Sequence, residues 1–398
     1  MNFYNLSIKN LIIFIKYTSL ILLVSLVIAI ICYIFGSILV IMSNIAFKFF
    51  PYNLIILPVI GFLIVYMKNL KKQKLDNSMQ QVFKATYEKK KLSLYIVPFQ
   101  MLSTWLSHLG GASVGREGVA IQLGATLANN LSLKFKLDNK LFTLVGKAAG
   151  FSGLFGTPLA GIFFIFEMNK NLRKSWNFWY TAIVMCFSCS FLTECFGLNH
   201  FHNYLNFNIY QYLNIINFLK LILISIIFIL IGNFFTICLK YQKNLYQKIF
   251  KNEYTKIIYL SIFYIIIMIL MQGRYMSLGM NLINEAFTNP NNILILDFLI
   301  KLWLTTLIIS AGFQGGEVTP LFAIGATLGV VLGTILNLPV IIVAALGYGF
   351  IFGSATNAYL TSFFIVIEVF GWKILPFALI ILSCSFLFKN KVSIYPII

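Results

Sequence analysis

Apolar stretches long enough to cross a hydrocarbon layer about 30 Å thick recur along almost the whole chain. Inside such a layer the backbone has no water to bond, so a spanning segment must be helical, and breaks survive only where protein or a polar cavity surrounds them. The fold class this predicts is all-α: a polytopic integral membrane protein. Composition agrees where it bears on the point. Only 10% of the residues are charged and 60% are hydrophobic, whereas a water-soluble domain is normally about 25% charged. The residues left outside the apolar segments are too few for a separate soluble domain of ordinary size.

The 30 Lys and Arg against 11 Asp and Glu give a net charge of +19. These basic residues sit in short loops between apolar segments, the pattern that orients membrane helices and attracts anionic lipid. No nucleic-acid-binding motif accompanies them, so the charge is assigned to topology and lipid and no nucleic-acid partner is expected. A first span is expected over residues 11–42 and a second over 52–67. Residues 68–91 hold eight lysines and two acids and are placed in the cytoplasm, which puts the N-terminus there too. A second cytoplasmic cluster is Lys240, Lys243, Lys248, Lys251 and Lys256, and the loop 199–211, without Lys or Arg, faces outward. The N-terminal apolar run is too long for a cleaved signal peptide and no small-residue cleavage site follows it. Cys186 and Cys189 form a C-x-x-C inside an apolar run and read as buried thiols, not as a redox or metal site.

Residues 148–168 lie between two basic flanks, 134–147 and 170–174, and include GFSGLFGTPLAG. Glycines and Pro158 break a helix, so this segment is expected to enter and return as broken or tilted helices. The chain also repeats itself. Gly115-Arg116-Glu117-Gly118 followed by Gly124-Ala125-Thr126-Leu127 is echoed by Gly315-Gly316-Glu317 followed by Gly325-Ala326-Thr327-Leu328, and the FFIFEM glutamate Glu167 by Glu368 in FFIVIEVF. Three matches in order at a shift of 200 or 201 residues mean two homologous halves. The expected organisation is an N-terminal helix region over 1–50, a first half over 51–200 and a second half over 201–398. All belong to one membrane unit with no regulatory domain.

Glycine-interrupted apolar segments at matching places in two halves point to a transport site. In HLGGASVGREGVAIQLGATLANNL, a glycine-rich loop opens an apolar helix, so backbone N–H groups of Gly118, Val119 and their neighbours point out of a positive helix terminus. Glu117 sits among those donors, and a carboxylate at membrane depth needs them. Glu117 and a free anion then compete for one place, which gives a basis for proton coupling or gating. The alternative is that Glu117 caps its helix or pairs with Arg116. In the second copy Thr319 offers a hydroxyl donor, or serves as a plain N-cap, Pro320 suits the first helical turn, and Glu317 adds a second carboxylate. Two such termini meeting near mid-membrane build one site from both halves.

These same stretches, GREG at 115–118, AAGFSGLFGTPLAGIFFIFEM at 148–168 and GGEVTP at 315–320, resemble the CLC family of anion channels and transporters. The resemblance covers most of the chain and implies two inverted halves of short, tilted helices, a homodimer with one pathway per subunit, and Glu117 as the gating and proton-coupling glutamate. Chloride-handling members carry G-S-G-I-P where this chain has Asp76-Asn77-Ser78-Met79-Gln80. They carry G-x-F-x-P where it has Gly316-Glu317-Val318-Thr319-Pro320. Both departures are similar to the fluoride/proton antiporter branch, which implies an anion site lined by Met79, Thr319 and Tyr395, with Glu317 as an acid beside it. Phe83 and Tyr87, near Met79 in sequence, are candidate aromatic lining or plain packing. Chloride exchangers have a second glutamate after the position of Glu167, and here Met168 stands there, so Glu167 reads as an end-cap partner for Lys170 or Arg173.

The function so implied is export of fluoride in exchange for protons across a bacterial inner membrane, with a chloride channel or chloride/proton exchanger as the alternative. The richness in Lys, Asn, Ile and Phe fits an AT-rich bacterial genome. No cofactor, metal or catalytic residue is expected: three histidines, no H-E-x-x-H and no G-x-S-x-G leave little for a membrane enzyme. His108 reads as a polar helix-end residue and His200 and His202 as solvated. Ala345-Leu346-Gly347-Tyr348-Gly349 lacks the Thr-Val start of a potassium filter and reads as chance.

Overall fold

The computed structural model describes residues 8–70, 91–168, 175–212, 214–387 and 393–395. Among these residues the chain is helical throughout, with α1 Ile8–Lys48, α2 Tyr52–Ile55, α3 Leu57–Asn69, α4 Ile96–Leu109, α5 Glu117–Lys134, α6 Asn139–Phe155, α7 Pro158–Met168 and α8 Trp176–Cys195. There follow α9 Ile215–Ile249, α10 Glu253–Leu270, α11 Met280–Thr288, α12 Asp297–Ala311, α13 Val318–Ile335, α14 Val340–Thr356, α15 Tyr359–Phe370 and α16 Leu375–Leu387. The protein is a polytopic all-α membrane protein.

Among the described residues five helices, α1, α8, α9, α10 and α13, are long and apolar enough to cross a membrane alone. At 1.5 Å per residue the 41 residues of α1 extend about 60 Å, twice the hydrocarbon thickness, so α1 is strongly tilted or runs on beyond it. The other apolar helices are short. The expected break in 148–168 falls at Gly156, whose left-handed backbone (φ 71°) ends α6, and Pro158 starts α7. Without a Cβ, glycine takes that conformation at no steric cost. Asn357 (φ 57°) ends α14 in the same way before α15.

The two halves keep one register. Helices α4, α5, α6 and α7 start at residues 96, 117, 139 and 158, and α12, α13, α14 and α15 start 201 residues later in every case. Even the left-handed Lys136 (φ 55°) has its mate in Asn337 (φ 51°). This corrects the pairing of Glu117 with Glu317 at a shift of 200: in the folded register Glu317 corresponds to Arg116, and Glu117 corresponds to Val318. The acid is therefore not duplicated. Within each half the paired helices touch backbone to backbone. A Cβ on Gly124 would fall 2.1 Å from the Gly146 carbonyl oxygen, and one on Gly325 would fall 2.0 Å from that of Gly347.

Three smaller readings resolve here. Residues 345–349 lie inside α14, with Tyr348 stacked on Phe322 at 4.2 Å, so they form no filter loop. Cys186 and Cys189 are buried free thiols on α8. His202 is exposed as expected, but His200 is partly buried, its Nδ1 3.2 Å from the Leu154 carbonyl oxygen and its ring against Gly156.

Candidate functional site

The loop 110–116 joins α4 to α5 and is fixed by residues of the second half. Tyr264 on α10 donates to the Gly111 carbonyl at 2.9 Å, and the Ser113 hydroxyl meets that of Thr305 on α12 at 2.8 Å. At its end Gly115 and Gly316 form an antiparallel bridge, with Gly316 N–H donating to the Gly115 carbonyl at 2.7 Å and Gly115 N–H returning the bond. Only glycine allows this approach. A Cβ on Gly115 would stand 2.8 Å from the Gly316 oxygen, and one on Gly316 would stand 2.7 Å from the Gly118 nitrogen. The bridge brings the first turns of α5 and α13 together in the protein interior, one from each half.

Glu117 is the first residue of α5 and fully buried. Its carboxylate accepts from the Thr319 N–H at 3.0 Å, from the Thr319 hydroxyl, from the Arg116 N–H at 3.1 Å and from Arg116 Nε at 3.4 Å. Pairing with Arg116 is thus present but does not exhaust its contacts. The carboxylate reaches across the bridge to the N-terminus of α13, where unpaired N–H groups and the helix dipole favour negative charge. Thr319, 2% exposed, is not the N-cap of α13: Glu317 holds that position, and Thr319 lies in the first turn with its donors aimed at Glu117. Pro320 follows in the same turn, as its missing N–H allows.

The remaining expected residues divide into two groups. Gly118 and Val119 are buried in the first turn of α5. Tyr395 is 2% exposed, with its ring edge-on to Phe164 at 5.9 Å, and lies within electrostatic reach of both Glu117 and Glu317. Its segment is tied to α14 by Ser393 Oγ donating to the Thr356 carbonyl at 2.8 Å and Ile394 N–H to that of Ala355 at 3.0 Å. Glu317 is partly exposed, makes no capping bond and lies within reach of the charge on Lys243 in the second lysine cluster. Met79, Phe83 and Tyr87 lie outside the described residues. His108 is buried at the end of α4 with Nδ1 2.6 Å from Ser277 Oγ, in keeping with a polar helix-end residue.

Glu167 is an end cap, but of the other half. It accepts from the N–H groups of Leu360 and Thr361 at 3.0 Å each and from the Thr361 hydroxyl at 2.7 Å, at the start of α15. Its mate Glu368 accepts from Leu159 N–H at 2.8 Å and Ala160 N–H at 3.0 Å, at the start of α7. The expected partners Lys170 and Arg173 lie outside the described residues. The matched glutamates were visible in the repeat, but their exchange between halves was not, because it depends on how the two short helices lie side by side.

Two halves in one register, interrupted short helices and two helix N-termini meeting over a buried carboxylate define a repeat-built membrane protein of the anion-pathway class. Residues 60–390 match the family model described as voltage gated chloride channel. The chain belongs to this CLC family. It is 31% identical over 361 residues to a protein named chloride/fluoride channel protein from Pseudomonas syringae pv. tomato, covering 87% of this chain and 78% of that one. It is 24% identical over 279 residues to an H(+)/Cl(-) exchange transporter from Vibrio cholerae, covering 65% of this chain and 58% of the relative. Among solved structures, a CLC-type fluoride/proton antiporter superposes with a TM-score of 0.90 at 38% identity, covering 99% of both chains. A slow cyanobacterial Cl-/H+ antiporter superposes at 0.79 with 19% identity, over 94% of this chain and 95% of that one, a likeness of fold.

Proposed function

We propose that this chain is a fluoride/proton antiporter that exports fluoride across a bacterial inner membrane as protons enter, working as a homodimer with one pathway per subunit. The observation that carries the reading is the Glu117 carboxylate seated on the N–H and hydroxyl of Thr319 at the α13 terminus. That place suits one negative charge. When Glu117 is ionised it fills the seat itself; when it is protonated its hold on the donors weakens, and a fluoride ion takes them. Fluoride is small and strongly hydrated, so a seat of close hydroxyl and amide donors with little spare volume favours it over larger halides. Thr319, Tyr395 and Met79 are assigned to the anion, with Gly118 and Val119 framing it and Glu317 as a second acid on the lysine-rich side. The similarity to a solved fluoride/proton antiporter supports this assignment, and no catalytic residue or cofactor enters it.

The test is flux from vesicles. Purified protein reconstituted in liposomes loaded with fluoride is expected to release fluoride and take up protons together, with chloride moving far more slowly. Equal rates for the two halides would favour a chloride channel or exchanger of the same fold, the reading that the Vibrio cholerae relative supports. Fluoride release without proton uptake would point to a channel.

A further inference from the structure

As an antiporter Glu117 must exchange protons with both sides of the membrane, and Met168, 3% exposed, stands where the chloride exchangers that the sequence resembles carry a second glutamate. A different polar element leads away from Glu117. On α4, Gln100, Ser103 and Thr104 recur at helical spacing, all at most 1% exposed. On α5, Gln122, Thr126 and Asn129 do the same and are 6%, 0% and 0% exposed. The apolar residues beside the α4 stripe cluster with α5: Phe99 in one group with Ala125, and Met101 in another with Val119 and Leu123. The two stripes therefore line the seam between α4 and α5, which pack directly on each other.

Four oxygens in this seam, Ser103 Oγ, Thr104 Oγ1, Gln122 Oε1 and Thr126 Oγ1, are buried with no hydrogen-bond partner among the described residues. Other buried side-chain atoms, Ser152 Oγ and Ser310 Oγ among them, also lack one, but these four gather between one pair of helices. Many buried helical hydroxyls turn back to the preceding turn, as Thr143 and Thr327 do. A buried hydroxyl or amide without a partner costs about 1–3 kcal/mol, so a line of four demands an occupant, and water is the one that meets alternating donors and acceptors. The seam runs in a useful direction. Gln122 lies five residues past Glu117 on α5, about 7 Å along the axis, and Asn129 about 10 Å further. Asn129 accepts from Leu92 N–H at 2.9 Å, and the neighbouring Lys91, which closes the basic cytoplasmic loop, is exposed.

The second half supplies a control. At a shift of 201 residues Ser103, Gln122 and Asn129 become Leu304, Ala323 and Val330. The hydroxyls that remain are satisfied, Thr305 by Ser113 at 2.8 Å and Thr327 by the Ala323 carbonyl at 2.8 Å. Gln100 becomes Lys301, which donates to the Tyr275 and Ser277 carbonyls at 3.0 and 2.8 Å, so at these matched positions unpartnered oxygens occur only in the half that carries Glu117.

We propose that the α4–α5 seam holds a file of water molecules that conducts protons between Glu117 and the cytoplasm. The proposal rests on the antiporter reading. In the inward step the Glu117 O–H bond breaks, its proton passes to the nearest water and the carboxylate is restored. Each water then accepts one proton and releases another, so one proton reaches the cytoplasm and no other bond changes.

The test compares two backgrounds in liposomes. Thr104→Val with Thr126→Val removes two hydroxyls at nearly constant volume. In the otherwise unaltered protein, coupled fluoride release and proton uptake are expected to slow together by about tenfold, the scale of one lost hydrogen bond on a transfer barrier. In a Glu117→Ala background, where the antiporter reading expects fluoride to move without a proton, the same pair is expected to leave fluoride flux unchanged. Slowing in both backgrounds, or in neither, overturns the proposal. Thr104→Ser with Thr126→Ser keeps the hydroxyls and is expected to keep the coupled rate; loss with serine as well as valine would assign the effect to packing and overturn it too. If the unaltered protein releases fluoride with no proton uptake, the antiporter reading itself fails, which is seen before any seam variant is made.

Discussion

Glu167 and Glu368 cap each other's helices: Glu167, at the end of α7, takes the N–H groups that open α15, and Glu368, near the end of α15, takes those that open α7. Both helices are short, of 11 and 12 residues, and their first turns would otherwise leave donors unpaired at membrane depth, where none can be lent by water. The exchange makes each half complete the other. A carboxylate also meets the positive helix terminus in each case.

Replacing Glu368 by Gln should weaken that brace. A lost N-cap costs about 0.5–2 kcal/mol. Glu368→Gln and Glu167→Gln should each lower the melting temperature of the detergent-solubilised protein by a few degrees while fluoride selectivity is retained. A thermal-shift assay with purified variants checks it. An unchanged melting temperature in both would show that the caps hold nothing.

Thr319 gives Glu117 two donors, one of which is a hydroxyl. Thr319→Val keeps the N–H and the shape but removes the hydroxyl, and a hydrogen bond to a charged group contributes about 1.5–3 kcal/mol. Fluoride exchange in liposomes should fall by roughly tenfold or more, and Thr319→Ser should restore most of it. If valine transports as well as threonine, the hydroxyl is not part of the anion seat.

Much of this architecture was legible in the chain before folding. The broken segment at 148–168 follows from Gly156 and Pro158, whose backbones permit little else, and the two halves follow from repeated glycine motifs. The meeting of Glu117 with the second half was an inference from helix dipoles, and the geometry bears it out through Thr319. What local sequence does not carry is register across the repeat. Glu317 stands in the same kind of motif as Glu117, yet one residue of drift turns it into the counterpart of Arg116 and leaves it on the partly exposed, lysine-facing side. Thr319 read equally well as an N-cap, because a hydroxyl's partner is decided by what the other half brings near it. The cross-caps of Glu167 and Glu368 and the α4–α5 seam were hidden for the same reason: each is a contact between helices, and periodicity speaks only of one helix at a time.

The Gly115–Gly316 bridge is the contact that sets Thr319 against Glu117, and it tolerates no side chain. In Gly316→Ala the added carbon would lie 2.7 Å from the Gly118 nitrogen and 3.2 Å from that of Glu117. Those are backbone atoms of a helix end, so strain cannot be relieved by one rotamer. Overpacking of this kind costs about 1–3 kcal/mol. Gly316→Ala should lose fluoride exchange and melt at lower temperature. Retention of both would mean that the two termini can separate without consequence for transport.

Glu117→Gln tests the seat most directly. Glutamine has the volume of glutamate but no charge at any pH, so its side chain cannot hold the Thr319 donors in one protonation state and release them in the other. The donors are then free for the anion throughout, and fluoride binding at equilibrium should tighten, while a fluoride gradient should no longer drive protons uphill. Proton uptake followed with a pH-sensitive dye during fluoride release is expected to vanish, whether fluoride itself slows or leaks. The two readouts separate the explanations: tighter binding without coupling is the signature of a competitor removed, whereas weakened binding without coupling would mean that Glu117 helps to build the seat and does not compete for it. Coupling that survives in Glu117→Gln would place the proton carrier elsewhere in the chain.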